Sequence, residues 1–212
     1  MTEEHMPARL YYVHDPMCSW CWAFAPMLHV LEQALPAGMT MTRLLGGLAP
    51  DTDAPMPEEM RRYVQSAWRE VERRVPGTRF DFRFWEVCRP RRATYPACRA
   101  VIAARRQGEA FDRRMTRAIQ EAYYLRALNP SEDETLIGLA AELGLDAAVF
   151  TRDLNSPGVH RELEDEIARS RAMGVTSFPS LALEDAHGLH GIPVNYLDSR
   201  PMVEAIRPAA DL

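Results

Sequence analysis

The chain has 212 residues, 47% of them hydrophobic and 26% charged, proportions that suit a globular protein with a sizeable core. A net charge of −5 leaves no basic surplus for nucleic acid, and no run approaches the ~20 apolar residues that a membrane span needs. All 25 basic residues are arginine, which excludes Schiff-base lysine chemistry and a phosphate-loop lysine.

Met1–Pro7 is acidic and has no apolar run, so no signal peptide is expected there and the expected location is cytoplasmic. Arg9–His14, rich in aromatic and β-branched residues, predicts a buried strand. Asp15-Pro16-Met17 is a turn. From Ser19 to Leu35 apolar residues recur every three or four positions (Trp20, Phe24, Leu28, Leu31, Leu35), which predicts a helix that Pro36 and Gly38 end and that Pro26 kinks. Met39–Leu45 is a second strand, closed by Gly46-Gly47. Strand, helix and strand within so few residues suggest a βαβ unit with a parallel pair.

The middle of the chain is helical. Pro57–Val75 sets Met60, Val64, Trp68 and Val71 on one face, Pro96–Arg106 opens with proline in its first turn, and Glu109–Ala127 carries Phe111, Met115, Ile119 and Tyr123. Ser131-Glu132-Asp133-Glu134 matches a capping box ahead of a helix that ends at Gly144. Asp146–Asn155 and Ser156–Gly174 follow. Ser180–Leu183 and Leu189–Ile192 then predict a hairpin, and Asp198 or Ser199 caps a last helix reaching Arg207. Setting the middle helices aside leaves βαβ–ββα. The expected organisation is an α/β sheet domain, residues 1–53 and 173–212, split by an all-helical insertion at 54–172.

The chemistry lies in Cys18-Ser19-Trp20-Cys21, where the first strand hands over to the helix. Two cysteines so spaced at a helix start lie one turn apart and can close a disulfide. The first faces unpaired N–H groups and the positive end of the helix dipole, which favour thiolate, the attacking species in exchange. Cys18 is therefore the expected nucleophile and Cys21, deeper in the helix, the resolving thiol. Ser19 and Trp20 between them tune the potential. Half a zinc site is the competing reading of such a pair. Cys88 and Cys98 are poorly spaced as further ligands, and no His-x₃₋₅-His occurs, so no metal and no cofactor is expected.

Asp15-Pro16-Met17-Cys18-Ser19-Trp20-Cys21-Trp22 resembles the active-site opening of the DsbA family of thioredoxin-like proteins, in the branch of FrnE and the cytosolic protein-disulfide isomerases. Gly174-Val175-Thr176-Ser177-Phe178-Pro179-Ser180 resembles that family's Gly-Val-x-x-x-Pro ahead of its third strand. Asn129-Pro130 and Gly144-Leu145-Asp146 sit where its insertion has them. The resemblance covers nearly the whole chain. It implies a thioredoxin fold, a thiol–disulfide oxidoreductase or isomerase activity, and protein disulfide or thiol clients, with glutathione a candidate small thiol. It also implies a cis Pro179 facing the cysteine pair, where the Phe178 carbonyl and N–H would turn to solvent for a client strand. Phe178 departs from the small residues common before that proline. Kappa-class glutathione transferases and hydroxychromene-carboxylate isomerases share the insertion but carry serine at the Cys18 position, so the pair argues against that alternative.

Further residues carry two readings each. His14 is a proton carrier for Cys18 or an edge histidine; Asp15 is a supporting acid or a turn residue. Trp20, Trp22 and Phe24 form an apolar rim for a client, though core packing explains Phe24 better. Cys88, in a loop, and Cys98, on a helix, are spare thiols or an auxiliary relay pair.

Overall fold

The computed structural model describes residues 8–210, so the Met1–Pro7 segment lies outside the described residues. Four strands form one sheet in the order β2-β1-β3-β4, with β1 Arg9–His14, β2 Thr40–Leu45, β3 Ser180–Asp185 and β4 Gly188–Ile192. β1 and β2 run parallel across helix α1, Ser19–Gln33, while β3 lies antiparallel to both β1 and β4. This is the βαβ–ββα sheet expected from the order of elements, and the thioredoxin fold that the family resemblance implies.

Seven helices separate β2 from β3: α2 Glu58–Arg74, α3 Phe84–Val87, α4 Tyr95–Arg105, α5 Phe111–Leu125, α6 Asp133–Glu142, α7 Ala147–Leu154 and α8 Pro157–Ala172. The final helix α9, Arg200–Ile206, runs into a single 3₁₀ turn, Arg207–Ala210. α3 falls where no helix was expected, and Cys88 lies in the loop just after this one-turn helix.

Caps follow side-chain chemistry at α7 and α8, where Asp146 and Ser156 accept from Val149 N and Val159 N at 3.0 and 3.3 Å. The capping box expected at Ser131 is absent. Glu132 is the N-cap of α6 and makes no side-chain cap bond. The Ser131 hydroxyl is buried and donates instead to the Ala93 carbonyl at 2.7 Å, a tertiary bond that outcompetes the local one.

Alternation along β1 divides the core. Leu10 and Tyr12 pack with Phe24, Leu28 and Leu31 of α1. Tyr11 and Val13 face the other way, with Leu44, Met173, Val175 and Phe178. A third cluster surrounds the fully buried Trp68, whose ring lies 4.9–5.9 Å from those of Phe80, Phe82, Phe84, Trp85, Tyr123 and Tyr124. Trp22 stacks on Tyr124 at 5.7 Å, which ties the first turn of α1 to this aromatic core.

Candidate active site

β1 ends at His14 and α1 begins at Ser19, so Asp15–Cys18 must turn the chain through a tight corner. Asp15 makes that corner. It is fully buried, and its carboxylate accepts Met17 N at 2.8 Å, Leu48 N at 2.7 Å, Thr94 Oγ1 at 2.6 Å and Cys98 Sγ at 3.5 Å. Its backbone carbonyl accepts Cys18 N at 3.0 Å. One side chain thus joins the corner to the segment after β2 and to α4. Burial pushes its carboxyl above the usual range, against the lowering effect of the donors.

Cys18 is the N-cap of α1, with extended backbone. It stands at the helix start as expected, and its sulfur accepts no hydrogen bond from the helix N–H groups. It donates to the Phe178 carbonyl at 3.5 Å. The reason is topological: Val13 pairs with Ser180, so β3 starts beside the end of β1 and its approach passes over the corner. The Phe178–Pro179 bond is cis, and Pro179 is buried. The Phe178 carbonyl faces the thiol, which corrects the expectation that it points to solvent. The Phe178 ring packs over Gly46, where a Cβ would lie 2.0 Å from Cε1.

Cys21 is fully buried one turn below. Burial pushes its thiol well above the usual cysteine range; the neighbouring Cys18 adds to this and the backbone hydrogen bond from Asp15 opposes it. The Tyr12 phenol of β1 lines the same groove as Cys21 and is itself pushed well up, first by burial and then by Cys21. Sequence reading missed this neighbour. Strand alternation was the signal that could have found it, because it sets Tyr12 on the helix-facing side.

The remaining candidates separate. Ser19 and Trp20 are half-buried on the first turn, with the Trp20 ring tilted against Tyr196 at 5.2 Å. Trp22 and Phe24 are buried, so of the three rim candidates Trp20 alone stays at the surface. Trp22 donates to the Arg79 carbonyl at 3.2 Å. His14 stacks flat on Tyr12 at 4.8 Å, fully buried, with neither ring nitrogen hydrogen-bonded. Burial first, then Arg43 and Arg105, hold its pKa well below the usual value. It is neither an edge residue nor charged, and no bond links it to Cys18. Cys88 donates to the Ala127 carbonyl at 3.2 Å and Cys98 to Asp15, so the two thiols have separate partners.

Among the described residues no group of three or more metal-ligating side chains clusters, and no helix is long and apolar enough to cross a membrane.

The thioredoxin family model matches residues 11–204. Among solved structures, a candidate protein disulfide isomerase from Nitrosomonas europaea is 28% identical, with a TM-score of 0.81 over 96% of this chain and 97% of that one. The cytosolic disulfide reductase DsbM from Pseudomonas aeruginosa is 24% identical, with a TM-score of 0.75 over 94% of this chain and 97% of its own, a likeness in fold. The ClpXP adapter protein SpxH of Halalkalibacterium halodurans is 25% identical over 182 residues, 84% of this chain and 59% of its own. The chain therefore spans about three-fifths of the length of the curated relatives it matches.

Proposed function

This chain belongs to the thioredoxin family and is built like the DsbA-type oxidoreductases, and on that premise we propose that it exchanges disulfides through Cys18 and Cys21. One observation carries the reading: the Cys18 sulfur, at the N-terminus of α1 and only 7% exposed, lies 3.5 Å from the carbonyl before cis Pro179, with Cys21 fully buried one turn further on. The Cys18 thiolate attacks one sulfur of a client disulfide and expels the other as thiolate. Cys21, deprotonated, then attacks the Cys18 sulfur, releases the client dithiol and leaves the Cys18–Cys21 disulfide. Two molecules of a small thiol such as glutathione return the pair to the reduced state: the first forms a mixed disulfide, and the second releases it as their own disulfide. Ser19, Trp20, Phe178 and Pro179 frame the approach of the client, and His14 lies beneath without taking protons. We place the exchange in the cytoplasm, on protein or small-thiol disulfides, with residues 54–172 as the helical insertion. Isomerase activity is the finer form of the proposal, supported by the description of the Nitrosomonas europaea structure.

Client trapping tests it. Cys21→Ser should accumulate mixed disulfides with protein clients, and Cys18→Ser should form none. Equal trapping by both variants, or turnover of insulin disulfides by Cys18→Ser, would overturn the assignment.

The SpxH relatives favour a second reading, an adapter that presents a protein to a protease. It predicts client binding that survives Cys18→Ser and Cys21→Ser alike.

A further inference from the structure

Thr94 stands at the start of α4, and its hydroxyl does not do what a threonine there ordinarily does. It is the N-cap of that helix, yet its side chain makes no bond to the first-turn N–H groups. The buried hydroxyl donates instead to Asp15 Oδ2 at 2.6 Å and accepts Ala49 N at 3.0 Å. Thr94 N in turn donates to the Ala49 carbonyl at 2.9 Å.

These bonds close a ring. Leu48 N donates to Asp15 Oδ2 at 2.7 Å, the next residue, Ala49, donates to Thr94 Oγ1, and Thr94 Oγ1 returns to Asp15 Oδ2. The single hydroxyl proton has two acceptors within reach, Asp15 Oδ2 and, at 3.4 Å, the Ala49 carbonyl. That carbonyl already receives the N–H groups of Thr94 and Tyr95, and a hydroxyl–carboxylate bond of this length belongs to the strong, charge-assisted class. The proton therefore lies towards Asp15. Burial raises the Asp15 pKa, and of the bonds that oppose it the one from Thr94 acts most strongly. Cys98, one turn further along α4, reaches the same oxygen only at 3.5 Å and through a weak S–H donor.

Asp15 passes this hold on to the cysteine pair. Its other carboxylate oxygen accepts Met17 N at 2.8 Å, and its backbone carbonyl accepts Cys18 N at 3.0 Å. A displaced carboxylate moves the corner that carries Cys18, whereas Cys21 is fixed in α1. A disulfide within the pair is favoured over separate bonds to an external thiol by the effective concentration of one sulfur at the other, and that falls as the geometry loosens.

We propose that Thr94 is a positioning residue for Cys18 and Cys21: acting through Asp15, it holds the corner where the pair closes most readily and so makes the dithiol a stronger reductant. The proposal rests on the disulfide exchange described above. It gives the helical insertion a part in that exchange, since Thr94 belongs to α4.

Equilibration of the full chain with reduced and oxidised glutathione at neutral pH tests it. One oxidised glutathione takes two electrons and two protons from Cys18 and Cys21, leaving their disulfide and two reduced glutathione molecules. The oxidised fraction is read by mass spectrometry of the Cys18–Cys21 peptide after acid quenching and alkylation. Thr94→Val keeps the branched shape without the hydroxyl and should lower the equilibrium constant at least fivefold. Thr94→Ala should do the same, which covers a failure of the valine variant to fold. Thr94→Ser keeps the hydroxyl and should stay within twofold of the native protein. Added to Asp15→Asn, Thr94→Val should shift the constant by less than a further twofold, because effects carried through one group do not add. Native protein that forms no Cys18–Cys21 disulfide overturns the exchange itself and this proposal with it. Native protein that equilibrates, while Thr94→Val and Thr94→Ala match it within twofold, overturns the role of Thr94 alone: the hydroxyl then serves only stability. A loss in Thr94→Ser equal to that in Thr94→Val, or a fully additive shift with Asp15→Asn, overturns it as well.

Discussion

Replacing Gly46 by alanine should dislodge the Phe178 ring and with it the backbone that faces Cys18. A Cβ on Gly46 would stand 2.0, 2.2 and 2.9 Å from Phe178 Cε1, Cζ and Cδ1. Carbon atoms rest about 3.5–4.0 Å apart, so the ring must retreat by roughly 1.5 Å. Such overpacking costs about 1–3 kcal/mol. Gly46 is not among the positive-φ glycines, so alanine adds no backbone strain and recovers about 0.4–1 kcal/mol through the unfolded chain. The net expectation is a loss of about 1–2 kcal/mol in urea unfolding, together with slower insulin reduction. Phe178→Ala vacates the space, so adding Gly46→Ala to it should cost nothing further. The double-mutant cycle should then show a coupling of about 1–2 kcal/mol, as expected of side chains in contact. Effects that add to within about 0.5 kcal/mol would refute the contact and the role given to Gly46.

Three further outcomes follow from the buried polar groups. Asp15→Asn offers an N–H₂ where one set of donors now finds an oxygen, so one backbone N–H of Met17 or Leu48 loses its acceptor, at a cost of about 1–3 kcal/mol. Because burial raises the Asp15 pKa, the native protein loses stability as pH rises from the unfolded carboxylate value through the raised native one. The gap between the native protein and Asp15→Asn should therefore narrow over that range in urea melts, and a widening gap would contradict the burial argument. His14 has the opposite sign: its pKa is lowered, so its contribution is complete above about pH 6.5 and is lost as pH falls from there through the native value. His14→Leu should remove that loss and shift the acid-unfolding midpoint to lower pH, and an unchanged midpoint would show that the imidazole is not buried neutral. Cys88→Ala/Cys98→Ala should retain most reductase activity, since the two thiols bond to Ala127 and Asp15 and not to each other; loss of turnover with intact folding would support the relay.

What was legible in the sequence was what local pattern or a sequence motif carries. The aromatic run at Arg9–His14, the 3–4 periodicity after Cys18 and the helices opening at Asp146 and Ser156 all became elements where expected. Phe84–Val87 was missed because four residues cannot show a helical period. Ser131 misled because a capping box is a local rule, and a tertiary acceptor, the Ala93 carbonyl, claimed the hydroxyl. At the site, the Cys18–Cys21 spacing and Pro179 stood out from the chain. Thr94, Leu48 and Gly46 did not, because each acts through a partner brought close only by the fold: the first two through the Asp15 carboxylate, the third through the Phe178 ring. His14 was ambiguous for a related reason. Its place at a strand end suggested an edge, whereas the aromatic face of Tyr12 and the layers above the sheet bury it completely.

The two thiols of the pair differ less by their own positions than by what stands ready to take a proton from each. Cys18 keeps a small exposed fraction and donates to the Phe178 carbonyl at the start of the β3 approach. Cys21 must lose a proton inside the protein before it can resolve a mixed disulfide, and its neighbours are poor acceptors. Tyr12 is held as a neutral phenol, and His14 makes no bond to the sulfur. The Asp15 carboxylate is already committed to four donors. The route that remains is through Cys18 itself, the neighbour that acts most directly on the Cys21 thiol. Under the proposed function, the interior of this fold therefore governs release of the client more than the attack upon it.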